Sequence, residues 1–428
     1  MRRFHAKDPG FDAAFDAFLG ERRGSPPDVD AAVAAVIEAV RTEGLAAVLR
    51  FSREFDRVEL TEDTIRVSEA EIEAGARACP APVREAIAFA AARIRAYHER
   101  QRPADLRFTD AAGVELGWRW TPLEAVGIYV PGGRAAYPST VLMNAVPARA
   151  AGVERVAMVT PPGRLEPAVL AAAREAGVTE IWRIGGAHAC AALAFGAGPI
   201  RPVDKIVGPG NAYVTAAKRR LYGVVGIDAL AGPSEIVVVA DAANDPTWIA
   251  ADLLSQAEHD PAAQSILITD DEAFADAVAA AVEAQLVTLA TGEAAGASWR
   301  DHGAVVIAPL DASPGLVNRI APEHVEFAVE APAALADRVR HAGAIFLGRY
   351  TPEAVGDYVA GSNHVLPTSR AARFSSGLSL YDFLKRTSIV ACDAAAFAAL
   401  AGPTQTLAEV EGLPAHARSI SIRRNAPR

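Results

Sequence analysis

The chain has 428 residues, of which 51% are hydrophobic and 22% charged, and its formal net charge is -10. This composition is typical of folded soluble proteins, and at roughly 150 residues per domain the length indicates two or three domains. The negative charge argues against the basic footprint of a nucleic-acid-binding protein. Three cysteines are too few for a disulfide framework or a cysteine-rich metal site.

The sequence also argues against export and membrane insertion. Residues 1–20 carry charges throughout and lack the apolar core and small-residue cleavage site of a signal peptide. No apolar run approaches the ~20 residues that span a bilayer. We therefore predict a cytoplasmic protein with neither membrane nor nucleic acid as a partner.

The first hundred residues are predicted to be mainly helical. Apolar residues recur at three- and four-residue intervals over 29–43, 68–79 and 82–97, and alanines are frequent in the last two ranges. Prolines separate these last two helices. Between the first helix and the second, residues 60–67 are predicted as a short strand.

From Leu123 onward, short β-branched runs alternate with alanine-rich helical stretches, which is typical of βαβ units and a parallel sheet. The first predicted set of strands covers residues 125–130, 155–160, 180–185, 205–207 and 236–240. A helix over 248–258 precedes a second set at 265–269, 304–308, 325–329 and 344–347. The chain after Thr387 is predicted to be helical and to end in a polar tail.

Three glycine-rich turns follow predicted strands, at residues 130–133, 184–187 and 207–211, although no G-x-G-x-x-G motif is present. Glycine at the carboxyl end of a strand lets backbone N–H groups approach an anionic ligand, and ligands bind at that edge of open α/β sheets. One such turn is more often structural than functional. Three of them favour a ligand crevice.

Gln256 and His259 lie three residues apart near the end of a predicted helix and therefore share one helix face. Histidine is a common metal ligand, and glutamine is a weak one that leaves an ion open to further partners. A histidine at a helix end is also often a cap or a surface group. The pattern alone leaves both interpretations open.

Glu323 and His324 are adjacent, so they would point to two different places within one crevice and could act as two bases with two tasks. The alternative is a helix start, in which Pro322 occupies the first turn and Glu323 favours the helix dipole. Asp357 could ligate a metal, cap a helix or face water. Spacing alone does not assemble a site from residues so far apart.

Taken together, long motifs in this chain resemble the histidinol dehydrogenase family, and the resemblance extends over nearly the whole chain from about Val29. The motifs occupy, in order, residues 127–133, 137–144, 207–214, 231–235, 255–261, 321–325, 361–368 and 411–416.

The resemblance implies a zinc site, an NAD site and a pair of catalytic bases, Glu323 and His324. The implied zinc ligands are Gln256, His259, Asp357 and His416. The implied substrate-binding residues are Ser234, Gln256, His259, His324, Asp357, His364, Glu411 and His416. The implied NAD contacts are Tyr129 and Asn211. One position departs from the family, because a glutamine that contacts NAD there is replaced by His188 in this chain.

The resemblance also implies an α/β fold with two incompletely Rossmann-like parallel-sheet domains, a helical N-terminal region and a small C-terminal tail domain. The expected division is an arm at 1–25, a first domain at 26–128 with 239–380, a second at 129–238, and a tail at 381–428. The family is homodimeric, and the tail with Glu411 and His416 would complete the site of the partner subunit. This role would explain why a polar tail carries two chemically useful side chains.

The implied activity is NAD-linked oxidation of histidinol to histidine through bound histidinal, the last step of histidine biosynthesis. His324 would deprotonate the hydroxyl group, and Glu323 would assist the attack of water on the aldehyde. Three alternatives compete with this interpretation: a dehydrogenase for another alcohol, a zinc hydrolase with a glutamate base, and a non-catalytic binding module. Glu411 and His416 argue against the first, the glycine turns against the second, and the many titratable residues of the motifs against the third.

Overall fold

The computed structural model of the protein describes residues 1–21, 28–132 and 137–424. The strands of these residues are β1 (Arg2–His5), β2 (Leu106–Thr109), β3 (Glu115–Pro122), β4 (Ala125–Tyr129), β5 (Arg155–Val159), β6 (Glu180–Trp182), β7 (Lys205–Val207), β8 (Gly226–Ile227), β9 (Glu235–Ala240), β10 (Gln264–Thr269), β11 (Ala304–Ile307), β12 (His324–Ala328), β13 (Ala344–Leu347) and β14 (Leu384–Ala391).

The helices of the same residues are α1 (Phe11–Gly20), α2 (Asp28–Glu43), α3 (Leu45–Phe51), α4 (Glu69–Ala78), α5 (Ala81–Glu99), α6 (Pro138–Ala151), α7 (Pro167–Ala176), α8 (Gly186–Phe195), α9 (Ala212–Leu221), α10 (Pro246–Ala257), α11 (Glu272–Leu286), α12 (Gly292–His302), α13 (Ser313–Ile320), α14 (Pro332–Ala336), α15 (Glu353–Tyr358), α16 (Ala394–Val410) and α17 (Pro414–Arg424). None of these helices combines the length and apolar character needed to cross a membrane.

The chain divides into two compact units. The first contains Met1–Gln101 and Glu124–Phe383, and the second contains Arg102–Leu123 and Leu384–Arg428. The expected α/β fold with parallel sheets is confirmed, since both sheets of the first unit are entirely parallel. The four expected domain boundaries stay a prediction, and residues 22–25 of the expected arm lie outside the described residues.

The larger sheet has six strands in the order β1-β11-β10-β9-β12-β13. Every residue of β9, β10 and β12 is buried, as expected for parallel strands covered on both faces. Two apolar clusters cover the two faces, one around α10 and α11 and the other around α1 and α13. The strand order reverses at β9, because β10 and β11 extend to one side of it and β12 and β13 to the other.

The N-terminal strand β1 was not predicted from the sequence. It pairs in parallel with β11, with Arg2 opposite Ala304 and His5 opposite Ile307. Phe15 and Phe18 of α1 then pack into the core beneath this edge of the sheet. A four-residue strand that contains two arginines and a histidine has too little apolar periodicity to be recognised before its neighbour is known.

The smaller parallel sheet of the first unit has five strands in the order β6-β5-β4-β7-β8. Its core also contains apolar residues of α2 and α3, which pack with α8 and α9. The strand order reverses between β4 and β7, and this kind of reversal opens a crevice at the carboxyl edge of a parallel sheet. The glycine turns predicted from the sequence follow β4, β6 and β7, although Gly133 lies outside the described residues.

The prediction of a strand at residues 60–67 is wrong. Only an isolated bridge joins Arg66 to Trp182 in this segment. The hydroxyl groups of Thr61 and Thr64 instead accept hydrogen bonds from each other's backbone N–H groups, at 2.8 and 3.3 Å. Threonine side chains that bond nearby backbone groups compete with a sheet ladder, so a turn forms despite the β-branched composition.

The second unit contains an antiparallel sheet in the order β14-β3-β2, together with α16 and α17. Leu384 to Ala391 form β14, so the prediction that the chain is helical directly after Thr387 is wrong for the first residues. Thr387, Ile389 and Val390 are β-branched, and such residues favour a pleated, half-buried surface. The remaining tail is helical from Ala394 as predicted, and α17 covers its polar residues from Pro414 to Arg424.

Candidate active site

Titratable side chains gather at the amino edge of the six-stranded sheet, where β9 and β12 begin. His324 is the first residue of β12, and Glu235 is the first residue of β9. Helices α10 and α15 each follow a strand and return toward this edge, so their C-terminal ends bring Gln256 and Asp357 to it. The sequence alone pointed to the carboxyl edge as the ligand-binding edge, and the six-stranded sheet does not follow that expectation.

His324 is held in one orientation by the backbone of the neighbouring strand. Its Nδ1 lies 3.0 Å from the carbonyl oxygen of Glu235. A carbonyl oxygen can only accept a hydrogen bond, so Nδ1 carries the proton and Nε2 is left with the lone pair in the neutral ring. Within the described residues Nε2 has no hydrogen-bond partner, and it lies 3.6 Å from Oδ1 of Asp357.

Glu323 contacts the same backbone residue from its other side. Its Oε2 accepts a hydrogen bond of 2.9 Å from the N–H of Glu235 and lies 3.7 Å from Nδ1 of His324. Burial raises the pKa of Glu323 to about 8. Residues 322–324 thus lead into a strand, and the alternative of a helix start does not hold.

The charges of this cluster are strongly interdependent. Burial alone would lower the pKa of His324, but the carboxylates of Glu323 and Asp357 outweigh it and raise that pKa to about 10. Burial opposes ionisation of Asp357 as well, but its contacts with His324 and His364 lower its pKa to about 2. The imidazole is therefore attracted to two carboxylates, and a cation placed beside Asp357 would weaken that attraction.

Glu353 is a buried member of the cluster to which the sequence analysis gave no role. It lies four residues before Asp357 on α15, so both carboxylates share one helix face. Its Oε2 accepts a 2.7 Å hydrogen bond from Ser255, and its backbone N–H donates to Glu326. Burial raises the pKa of Glu353 to about 8. The i,i+4 spacing was the signal that could have identified it.

Two further carboxyl groups lie near this cluster, one buried and one half-buried. Glu326 is the second residue after His324 on β12 and is buried, and burial raises its pKa well above the usual range. Burial also raises the pKa of Asp252, on α10, to about 6. Because alternate strand residues share a face, the spacing of Glu326 from His324 was a second signal present in the sequence.

Gln256 lies in the last turn of α10 as predicted, whereas His259 lies two residues beyond the helix end at Ala257, and their environments differ. Gln256 is 1% exposed, and its Nε2 has no hydrogen-bond partner within the described residues. His259 is exposed, and its Nδ1 lies 3.4 Å from Oγ of Ser234. The alternative of a surface histidine fits the exposure of His259, whereas a buried amide with an unpartnered atom calls for a ligand.

His364 reaches the same cluster from the loop that follows α15. Its Nδ1 donates a 3.0 Å hydrogen bond to the backbone carbonyl of Asp357. Burial lowers the pKa of His364, and the charges of His324 and His259 act in the same direction. Arg93 holds the start of this loop by donating to the carbonyl oxygen of Ala360 at 3.0 Å. The structure therefore brings together seven of the predicted site residues: Ser234, Gln256, His259, Glu323, His324, Asp357 and His364.

The donor set of the cluster suits a divalent metal such as zinc. Imidazole nitrogen, carboxylate oxygen and amide oxygen are all present, and zinc accepts nitrogen and oxygen ligands. Among the described residues, ligand atoms of His324, Glu353 and Asp357 lie within 4.8 Å of one another. This trio shares only Asp357 with the ligand set implied by the family resemblance. The unpartnered buried atoms of Gln256, His324 and Glu353 are consistent with a further group at this edge.

Tyr129 and Asn211 lie at the carboxyl edge of the five-stranded sheet. Tyr129 ends β4, and its hydroxyl oxygen accepts a 2.9 Å hydrogen bond from the N–H of Gly186. Asn211 caps α9, and its side-chain oxygen accepts from Tyr213 and Val214. The phenolic proton of Tyr129 and the amide nitrogen of Asn211 therefore remain as the groups that could donate to a ligand.

Glu411 and His416 belong to the second compact unit. Glu411 is the C-cap of α16, and His416 lies in the first turns of α17. Both side chains are exposed. Their part in the site stays a prediction.

His188 occupies the position at which the sequence departs from the family. It is 1% exposed on α8, and its Nε2 lies 3.4 Å from Oγ of Ser52 and 3.7 Å from a carboxylate oxygen of Asp56. Its ring also contacts Phe51 and Phe55, with centroids 6.0 and 6.1 Å away. His188 thus joins α8 to the short π-helix Ser52–Asp56.

Cys190, two residues further along α8, is fully buried, and burial raises its pKa to about 12. A thiol that resists ionisation is a poor nucleophile. The geometry therefore gives no support to covalent catalysis by this cysteine.

The fold and site define an α/β enzyme scaffold in which a buried histidine, two flanking carboxylates and metal-type donors meet at one sheet edge. The comparisons identify the class more closely. The model of the histidinol dehydrogenase family matches residues 21–424. The chain belongs to the histidinol dehydrogenase family, and it is an enzyme of the oxidoreductase class.

Two curated relatives and one solved structure show how close this similarity is. The chain is 78% identical over 423 residues to histidinol dehydrogenase of Caulobacter vibrioides, covering 99% of each chain. It is 59% identical over 421 residues to histidinol dehydrogenase of Mesorhizobium japonicum, covering 98% of each. The crystal structure of histidinol dehydrogenase from Elizabethkingia anophelis has a TM-score of 0.93 and 35% identity, covering 99% of this chain and 98% of that one.

The buried His188 should make stability depend on pH. Burial lowers its pKa from 6.5 to about 4, so the unfolded state binds more protons between these values and stability falls as the pH falls through that window. Relative to pH 8, we expect the His188 contribution to cost about 2 kcal/mol at pH 5. His188→Gln should lose this dependence, as measured by denaturant unfolding of both proteins at pH 8, 6.5 and 5. Parallel curves for the two proteins would contradict the prediction.

Proposed function

We propose that this enzyme catalyses the NAD-linked, four-electron oxidation of L-histidinol to L-histidine through bound L-histidinal, the last step of histidine biosynthesis. The observation that carries the proposal is the arrangement of His324, whose free Nε2 faces metal-type donors while Glu323 lies beside it. Family membership supports histidinol as the substrate.

We infer that one zinc ion per subunit is held by Gln256, His259, Asp357 and His416. When bound, it would ligate the imidazole and amino nitrogens of the substrate and so fix its orientation. The ionised state of Asp357 supports this assignment, and the amide oxygen of Gln256 would be the ligand atom of that residue.

The three glycine turns of the five-stranded sheet are the proposed binding site for NAD, which accepts one hydride in each of the two oxidations. Tyr129 and Asn211 would contact it, since each retains a hydrogen-bond donor at the sheet edge. Helix α8 begins at Gly186, and the N-termini of helices favour anionic groups such as a pyrophosphate.

His324 is the base for the first oxidation. Because Nδ1 is committed to the carbonyl of Glu235, Nε2 is the atom that accepts the hydroxyl proton of histidinol as the hydride leaves its carbon. Ser234, which lies beside His259, and His364, which lies beside Asp357, would contact the substrate, with Glu411 as a further contact.

Glu323 serves the second oxidation. Water adds to the aldehyde carbon and loses a proton to the carboxylate of Glu323, which gives the anion of the hydrate. This anion then gives its C–H hydride to NAD and becomes the carboxylic acid of histidine. Burial makes this carboxylate a stronger base than an ordinary glutamate once it is ionised. Its hydrogen bond from the N–H of Glu235 keeps it beside His324.

We further propose a homodimer in which the second unit of one chain completes the site of the other. Glu411 and His416 are exposed on that unit, which leaves both side chains accessible to a neighbouring chain. The cytoplasm, where amino-acid biosynthesis takes place, is the proposed location.

The proposed function is tested by stoichiometry. Zinc-loaded protein mixed with NAD and histidinol should form two NADH for each histidinol consumed, because both oxidations use NAD. The NADH is measured by absorbance and the histidine by chromatography. One NADH per histidinol would indicate an enzyme that stops at the aldehyde, and none would contradict an NAD-linked oxidation.

The division of labour between the two bases is testable with Glu323→Gln. The amide oxygen can still accept from the N–H of Glu235, so the local structure should survive. We expect oxidation of added histidinal to slow by roughly 10²- to 10⁴-fold in single-turnover assays, and oxidation of histidinol to histidinal to slow less. His324→Asn is the matched control, and in that variant we expect oxidation of histidinol to slow more than oxidation of histidinal. Equal slowing of both steps in Glu323→Gln would refute this division.

The shared site is testable by subunit exchange. His416→Asn and His259→Asn should each inactivate the enzyme, because each removes a proposed zinc ligand. Mixed dimers should recover part of the activity, since one of their two sites regains every ligand. Exchange is verified with differently tagged chains. If exchanged dimers stay inactive, both ligands belong to a site within one chain.

A further inference from the structure

A buried ion pair holds one residue of the glycine turn that follows β7. Lys218, on α9, is 2% exposed, and its Nζ is paired with Oδ1 of Asp228. The same Nζ donates a 3.0 Å hydrogen bond to the carbonyl oxygen of Gly208. Oδ2 of Asp228 accepts a 2.7 Å hydrogen bond from the N–H of Gly208. Both backbone polar groups of Gly208 are therefore held by the two ends of one ion pair.

Gly208 requires this support because its backbone is unusual. Its φ of 107° lies in the region that favours glycine, and a Cβ at this position would overlap the carbonyl oxygen of Tyr129. Three residues later Asn211 caps α9. The conformation of Gly208 therefore sets both the distance of the turn from Tyr129 and the start of the helix.

Stability alone does not explain the pair. Removing two charges from water is costly, and well-packed apolar residues in place of a buried ion pair are often neutral or stabilising. Arg155 and Glu180 form a comparable pair at the opposite, amino edge of the same sheet, with side chains 14% and 8% exposed. Arg155 also donates to the carbonyl oxygens of Arg201 and Pro202, at 2.6 and 2.7 Å. The second pair thus provides a control with similar chemistry and no contact with the glycine turns.

We propose that Lys218 and Asp228 are positioning residues for NAD binding, which hold the turn at Gly208 in its binding conformation before the dinucleotide arrives. This inference rests on the proposed function, because it assumes that NAD binds at the turn. Neither side chain needs to touch the dinucleotide, since both are buried beneath the turn and act through Gly208.

The test uses the double variant Lys218→Met/Asp228→Asn in the full-length, zinc-loaded enzyme. Methionine keeps most of the volume of lysine, and asparagine can still accept from Gly208, so no uncompensated charge is left buried. Arg155→Met/Glu180→Gln is the matched control. For both variants, thermal unfolding reports stability, calorimetry reports the Kd for NAD without substrate, and steady-state kinetics report the KM values for NAD and histidinol.

We expect the Kd and KM for NAD to rise about tenfold or more in Lys218→Met/Asp228→Asn, a change of about 1.4 kcal/mol, with the KM for histidinol unchanged. The control should lose similar stability and keep NAD binding within about twofold. Amide hydrogen exchange over residues 208–214 of the ligand-free enzyme should accelerate in the first variant only. Normal exchange and normal NAD binding there would overturn the inference. Failure of the wild-type enzyme to bind NAD would instead overturn the proposed function. In that case, unchanged amide exchange over residues 208–214 of Lys218→Met/Asp228→Asn would still overturn the positioning role.

Discussion

The hydrogen bond from Nδ1 of His324 to the carbonyl oxygen of Glu235 is the constraint on which the rest of the site depends. It fixes the tautomer of a buried imidazole and aims Nε2 at Asp357. With Glu323 and Glu353 also nearby, several carboxyl groups surround a single histidine. Burial raises the pKa values of the two glutamates, and the neighbouring carboxylates add to the effect because like charges in a buried site cannot all ionise. The contacts with His324 and His364 lower the pKa of Asp357. Such a site binds protons or a cation strongly, which suits both acid–base chemistry and a metal.

The two parallel sheets of the first unit carry their candidate binding residues at opposite edges. In the five-stranded sheet, the turns after β4, β6 and β7 lie at the carboxyl edge, where the strand order reverses. In the six-stranded sheet, the titratable residues lie at the amino edge, because α10 and α15 carry their last residues back to the start of the strands. Strand β12 supplies His324 directly at that edge. Parallel sheets favour carboxyl-edge sites through their loops, but the C-terminal end of a returning helix reaches the other edge equally well.

Much of the fold could be predicted from the sequence, because buried parallel strands are short β-branched runs between glycine-rich turns. The predicted strands of both sheets agree in position with the structure to within a few residues, but residues 236–240, predicted with the first set, form β9 of the six-stranded sheet. Strands β1, β2, β3, β8 and β14 were missed, and two of them have a partner that is distant in the chain. Strand β1 depends on β11, and β14 depends on β3, 262 or more residues earlier in the chain. Their own residues carry little apolar periodicity, so tertiary pairing decides their conformation.

The site was only partly predictable, for a similar reason. Motif residues such as His324 and Asp357 could be named from the family resemblance, whereas Glu353, Glu326 and Asp252 could not. The role of these acids follows from burial next to other charges, and burial is known only after the helices and strands are packed. The sequence did contain the spacings, since Glu353 lies four residues before Asp357 and Glu326 lies two residues after His324. A spacing identifies a site residue only once it is known which face of the helix or strand lines the site.

The position of Glu323 and His324 at the start of a strand links the chemistry of the site to the register of the sheet. His324 pairs with Ile236 in the ladder between β9 and β12. The side chains of Glu323 and His324 bond to the N–H and C=O of Glu235, the residue before Ile236. A slip of one residue would turn His324 to the opposite face and leave two buried polar groups without partners. Glu323 and His324 therefore stabilise the one register in which both of their hydrogen bonds form, and the same hydrogen bonds that align the strands also fix the tautomer of His324.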